Sequence, residues 1–205
     1  MRVLALDAST KTGWALFVDG QLAESSELAP VHVEHFNVND RNTQNSEWYP
    51  YNIVVAADDV CAGIEALVHV KKPDIVIVEN TNKGKNRHTQ RVLEFIHYAV
   101  LKMLRSRAQR MKYMDSSEWR QIMGLAATKE DKKQNAKLNK AKRSAEAKGV
   151  KLDKKALGIK GTITVKHRAV RMANEKYGLK LKQKQNDQAD AILMGQAYVN
   201  RSQGK

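Results

Sequence analysis

The segment Pro73-Asp74-Ile75-Val76-Ile77-Val78-Glu79 constrains the fold more than any other part of the chain. Four aliphatic residues run without interruption between a proline and acids, too short a stretch for a stable helix, which suits a strand buried on both faces. Such a strand needs helices above and below its sheet. Ile53, Ala57, Val60, Cys61, Ile64, Leu67 and Val68 recur at spacings of three and four, so a helix precedes the strand and stops at Lys71, Lys72 and Pro73. Val92, Phe95, Ile96, Ala99 and Met103 mark a second helix, and residues 111–114 a further short strand. At the amino-terminal end the runs 3–6 and 14–18 are β-forming, and Asp19-Gly20 is a hairpin signal. The expected class is α/β: a mixed five-stranded sheet, with a three-strand antiparallel meander joined to parallel strands, flanked by helices.

The 205 residues, 42% of them hydrophobic, suit a single domain over 1–205. Residues 30–52 show no sustained period and read as a long loop. Asp115 with Glu118 has the form of a capping box opening a short helix through Trp119, Ile122 and Met123. Residues 129–160 then carry 12 basic and 4 acidic side chains with few large apolar ones, which reads as a basic arm outside the core. Thr164 is expected to cap a helix whose apolar face is Val165, Ala169, Met172, Ala173 and Tyr177 and which ends at Gly178. A last helix contains Ala191, Met194 and Ala197. No internal repeat is visible.

Lysine and arginine number 36 against 22 acids, a formal charge of +14, so a polyanionic partner is expected. The single cysteine, Cys61, excludes a disulfide framework or thiolate zinc site and fits a reducing, cytoplasmic setting. No apolar run is long enough to span a bilayer, so neither export nor membrane embedding is expected. None of the six histidines has convincing metal-ligand spacing, and packing or solvent is the expected fate of each. Trp14 and Trp119 are expected in the core, with Trp48 left free to stack.

The acids carry the chemical argument. Asp7 closes the first strand and Glu79 closes the buried one. If those strands are parallel neighbours, two carboxylates meet at one sheet end and repel unless a cation intervenes. A hard divalent ion suits carboxylate oxygens. Taken singly, either acid could simply be solvated at its strand end. Asp187 and Asp190 lie three apart at the start of the last helix and share a face of its first turn, a pattern the helix dipole alone could also favour.

In that order these acids give the chain a resemblance to the RuvC-type Holliday-junction resolvases of the ribonuclease H-like superfamily. Leu4-Ala5-Leu6-Asp7-Ala8-Ser9-Thr10-Lys11-Thr12-Gly13-Trp14-Ala15 resembles the first motif of the family and the segment 73–79 its second, with Asn86 where an asparagine often opens the next helix. Asn186-Asp187-Gln188-Ala189-Asp190-Ala191 is similar to the final motif. The first motif is slightly shorter than in bacterial resolvases, and the turn 80–87 lacks the aromatic that some relatives wedge into the junction.

The resemblance implies a structure-selective endonuclease that cuts four-way or other branched DNA, acting as a homodimer. Asp7, Glu79, Asp187 and Asp190 would hold two Mg²⁺ or Mn²⁺ ions roughly 3.5 to 4 Å apart. By motif order, Arg120 and Lys166 are the basic residues nearest the scissile phosphate, with Lys166 counted among the catalytic set. Lys166, His167, Arg168 and Arg171 also gather at an expected helix start, where free N–H groups favour phosphate. Lys11, Lys83, Lys85, Arg87, Arg168 and the basic arm are candidate DNA contacts, the arm being expected to order on DNA.

Other classes remain open at this point. One is a catalytically silent module that binds branched DNA or RNA; another is a ribonuclease H-like nuclease cutting flaps or RNA–DNA hybrids. Asp7-Ala8-Ser9-Thr10 also resembles the first phosphate loop of actin-like ATPases and sugar kinases, but the second lobe and second Gly-rich loop of those proteins are missing.

Overall fold

The structure, a computed structural model, describes residues 1–38, 42–81, 86–147, 149–151 and 161–204. Its sheet is built from β1 (Arg2–Asp7), β2 (Gly13–Val18), β3 (Gln21–Glu27), β4 (Ile75–Glu79) and β5 (Met111–Met114). The strand order is β3-β2-β1-β4-β5, antiparallel through β1, β2 and β3 and parallel from β1 through β4 to β5. Asp19 and Gly20 both take positive φ, 50° and 83°, as a tight hairpin turn between twisted strands requires.

Alternation along the strands sends side chains into two apolar layers. Leu4, Leu6, Leu16, Val76 and Val78 face α2 (Tyr51–Lys71) and α3 (Arg87–Ser106). Val3, Ala5, Phe17, Ile75 and Ile77 face the other way, against Trp119 of α4 (Ser116–Ile122), Ala169 and Ala173 of α6 (Val165–Tyr177), and α7 (Asn186–Ser202). A 3₁₀ turn at Gln183–Gln185 leads into α7. Trp14 and Trp119 are buried and Trp48 is exposed, stacked on His35. Among the described residues no helix is long and apolar enough to cross a membrane.

Helix α7 lies so close to the sheet that two glycines are sterically required. A Cβ on Gly13 would sit 2.1 Å from the Asp187 carbonyl carbon, and one on Gly195 would sit 2.4 Å from the Phe17 ring. Both contacts fix the height of α7 over β2, and the first also fixes its amino-terminal turn.

The structure corrects several expectations. Among the described residues, the loop 30–52 contains one helical turn, α1 (Asn42–Asn45), and α2 begins at Tyr51. Polar bonds hold this loop: Asn52 Nδ2 donates to the carbonyls of His35 and Thr43. Asp115 sits at the N-cap of α4 but its side chain makes no capping bond, because Asp115 Oδ1 accepts instead from Asn80 Nδ2 at 2.8 Å. Phe95 lies on the solvent side of α3, whose buried face runs through Val92, Ile96, Val100, Met103 and Leu104. The Thr164 cap and the left-handed Gly178 are as expected.

The largest correction concerns the basic arm. Residues 129–147 form a packed helix, α5 (Lys129–Ala147). Alanine, lysine and glutamate are good helix formers, and a narrow inward stripe is enough to seat the helix. Leu138 is fully buried, and Asp131 receives both Nη atoms of Arg171 at 3.3 and 3.2 Å. Asn135 makes a reciprocal pair with Ile163, accepting from its N–H at 2.8 Å and donating to its carbonyl at 2.9 Å. The rest of the basic segment, at 148 and 152–160, lies outside the described residues.

Candidate active site

Because β1 and β4 pair in parallel with Leu6 opposite Val78, the next residue on each strand, Asp7 and Glu79, stands at the same sheet end. Helix α7 crosses the other face and brings Asp190, one turn in, beneath them. Carboxylate oxygens of Asp7, Glu79 and Asp190 lie within 4.8 Å of one another. The Asp190 side chain is only 3% exposed, and its Oδ1 is buried with no hydrogen-bond partner.

Three acids this close are costly to ionise together. Burial, then repulsion from Glu79, Asp190 and Asp187, pushes Asp7 well above the usual carboxylate range. Burial and Asp190 raise Glu79 to about 7, with Arg120 opposing. Burial raises Asp190 to about 6 against the pull of Arg120 and Lys166. The only counter-charge at the back of the cluster is Arg120, whose Nη2 is 3.9 Å from Glu79 and 4.0 Å from Asp190 among the described residues. Its guanidinium also rests over the Trp119 ring, 4.9 Å from the centroid.

Asp187 stands apart from the three. Its Oδ1 accepts from Lys166 Nζ at 3.2 Å and from the Asn186 side chain, and its Oδ2 is 3.9 Å from Lys11 Nζ. Desolvation lowers the Lys166 ammonium, but attraction from Asp187, Asp7 and Asp190 outweighs it and leaves the net shift upward. The four acids therefore divide into a buried trio and a rim residue that faces two lysines. Asp7, Glu79, Asp187 and Lys166 line one open cavity with Asn80, Asn86 and His97.

The candidate DNA contacts divide as well. The ammonium of Lys11 is already engaged, 2.7 Å from both Glu27 Oε1 and the Lys184 carbonyl. It braces the rim, and this engagement competes with any phosphate. Arg87 is exposed at the start of α3, and Arg168 is half-buried with its Nε unpartnered. Lys83 and Lys85 lie outside the described residues.

Sequence reasoning missed the cavity role of His97 and Asn80. His97 Nε2 lies 3.3 Å from the Ala8 carbonyl, which can only accept, so that nitrogen carries the proton. Nδ1 then accepts from the Tyr113 hydroxyl at 3.1 Å. Burial lowers the pKa of this imidazole and keeps it neutral. It ties the residue after Asp7 to β5. Its one sequence signal was a polar residue next to Ile96 on an apolar helix face.

The donor set fits a hard divalent cation: it offers oxygen ligands, carries excess negative charge, and contains a buried oxygen lacking a partner. Asp7, Glu79 and Asp190 are placed to hold an ion, and Asp187 lines the same cavity outside that trio.

No protein-family model and no curated protein matches the sequence. The fold is similar to that of T. thermophilus RuvC in complex with Holliday junction substrate, at 13% identity and a TM-score of 0.60, covering 100% of this chain and 97% of that one. A further Thermus thermophilus RuvC structure aligns at 14% identity and a TM-score of 0.59, over the same shares of the two chains. The chain thus has the RuvC-type, ribonuclease H-like fold.

Proposed function

We propose that the chain is a single-domain, metal-dependent endonuclease that cuts branched DNA, with four-way junctions as the preferred substrate. The observation carrying this reading is the convergence of Asp7, Glu79 and Asp190 from β1, β4 and α7 around a buried, unpartnered carboxylate oxygen. Two further facts support it: the formal charge of +14, and the junction named for the RuvC complex that shares the fold.

In this reading Asp7, Glu79, Asp187 and Asp190 hold two Mg²⁺ or Mn²⁺ ions. Such ions, when bound, acidify a water and neutralise charge on the phosphate and the departing 3′ oxygen. The chain's own residues do the rest. Lys166, at the cavity mouth, meets a non-bridging phosphate oxygen and exchanges its bond to Asp187 for one to the substrate. Arg120, fixed over Trp119, holds the carboxylates of Glu79 and Asp190 from behind. His97 keeps the Asp7-Ala8 strand end in line. Hydrolysis leaves a 5′-phosphate and a 3′-hydroxyl, and a homodimer would deliver paired cuts.

A cleavage assay on a four-way junction, a flap, a linear duplex and an RNA–DNA hybrid, in Mg²⁺ and then in EDTA, tests this. The expected result is Mg²⁺-dependent nicking, fastest on the junction and lost in EDTA. Preferential cutting of the flap or hybrid would redirect the substrate assignment within the same chemistry. Tight junction binding without cleavage in Mg²⁺ or Mn²⁺ would favour the silent binding module instead.

A further inference from the structure

Helix α5 has a composition that its own packing does not explain. At 100° per residue, Lys129, Lys132, Lys133, Lys140 and Arg143 fall within an arc of about 100°, centred opposite the buried Asp131 and Leu138. All five are exposed, and among the described residues none forms an ion pair. Lys129 with Lys133, Lys129 with Lys132, and Lys140 with Arg143 set like charges at helical spacings of three and four, an arrangement that opposes the helix unless an anion relieves it. The acids of this helix lie elsewhere: Asp131 points inward to Arg171, and Glu130 and Glu146 flank the arc.

The helix is also fixed relative to the candidate active site. Asn135 clamps Ile163, three residues before Lys166, and Asp131 clamps Arg171 on the helix that carries Lys166. We infer that the outer face of α5 is a docking rail for the phosphate backbone of a duplex arm that leads into the catalytic cavity, held in position by those two clamps. The rail spans about 21 Å from Lys129 to Arg143, enough to follow roughly six phosphate steps along one strand. This rests on the nucleic-acid reading above but is independent of cleavage.

The test is equilibrium binding of a fluorescent four-way junction in EDTA between 50 and 200 mM salt. Three variants are compared with the parent: K129Q/K132Q/K133Q/K140Q/R143Q on the rail, K72Q/K102Q/R105Q/R110Q/K112Q removing equal charge from the α2/α3 layer and the β5 edge of the sheet, and D131N. Glutamine keeps helix propensity, and circular dichroism checks the fold of each. The rail variant is expected to bind about tenfold to a hundredfold more weakly at 150 mM, with the salt slope shallower by about 2 to 4. This second charge variant should change the slope by less than about one contact. D131N gives the sharper readout: it raises the net charge by one, so bulk electrostatics predicts tighter binding, whereas a loosened rail predicts weaker binding.

Equal losses from the two charge variants, or tighter binding by D131N with its helix content intact, would overturn the inference. A parent that cuts junctions while the rail variant keeps the full salt slope would overturn the rail alone. A parent that binds no branched DNA would overturn both the rail and the reading beneath it.

Discussion

Asp190 is the residue whose environment makes the strongest demand. Its carboxylate is buried, one oxygen lacks a partner, and two other acids face it. Without a cation this arrangement costs stability, since mutual repulsion and desolvation both disfavour the charged forms. Asp190→Asn should therefore raise the melting temperature in EDTA by about 2 to 4 °C, the shift expected of roughly 1 kcal/mol in a chain this size, while abolishing cleavage. A lower melting temperature for the variant in EDTA would contradict this.

The pH dependence has a definite sign. Glu79 at about 7 and Asp190 at about 6 have folded values above their unfolded ones, and Asp7 shifts the same way. Their contribution is present below the ordinary carboxylate range and lost as pH rises through about 6 to 7. Metal-free protein should melt lower at pH 8 than at pH 5, and added Mg²⁺ should recover more stability at pH 8. Thermal melts at the two pH values, with and without Mg²⁺, check this. His97→Phe should cost about 1 to 3 kcal/mol in denaturant unfolding, because the Ala8 carbonyl and Tyr113 hydroxyl lose their partner. An unchanged midpoint would remove His97 from its bracing role.

At the scale of elements, the relation of α7 to β2 decides the site. Gly13 opens β2, and its lack of a side chain admits the first turn of α7. Gly13→Ala should push that turn away, separate Asp190 from Asp7 and Glu79, and reduce Mg²⁺-dependent cleavage at least about a hundredfold, with a stability cost of about 1 to 3 kcal/mol. A variant with parental turnover would show that the site tolerates a shifted α7. The strand-end acids were legible because strand period and the βαβ pattern are local signals that dictate where each strand stops. The close approach at Gly13 and the bridge from His97 to Ala8 were not, since both join residues far apart in sequence. Nor was the division between Asp190 and Asp187 legible: spacing puts them on one helical face, but only the lysines around Asp187 turn it toward the rim. Helix α5 was misread because its composition is that of a solvated segment, while three inward contacts, at Asp131, Asn135 and Leu138, seat it.

At the scale of the molecule, a sheet with helices on both faces holds three acids from opposite ends of the chain at one sheet end, in a chain whose formal net charge is +14. The negative centre would select hard cations and the net positive charge would favour polyanions, a division of labour that a nuclease needs. In the proposed reading Asp7, Glu79 and Asp190 act together, with Asp187 beside them, as one metal-binding centre. Calorimetric titration of Mn²⁺ into the parent and into the D7N, E79Q and D190N variants tests it most directly. Saturable binding by the parent, weakened at least about tenfold by each substitution, is the predicted result. Parental affinity in any one of the three variants would contradict it.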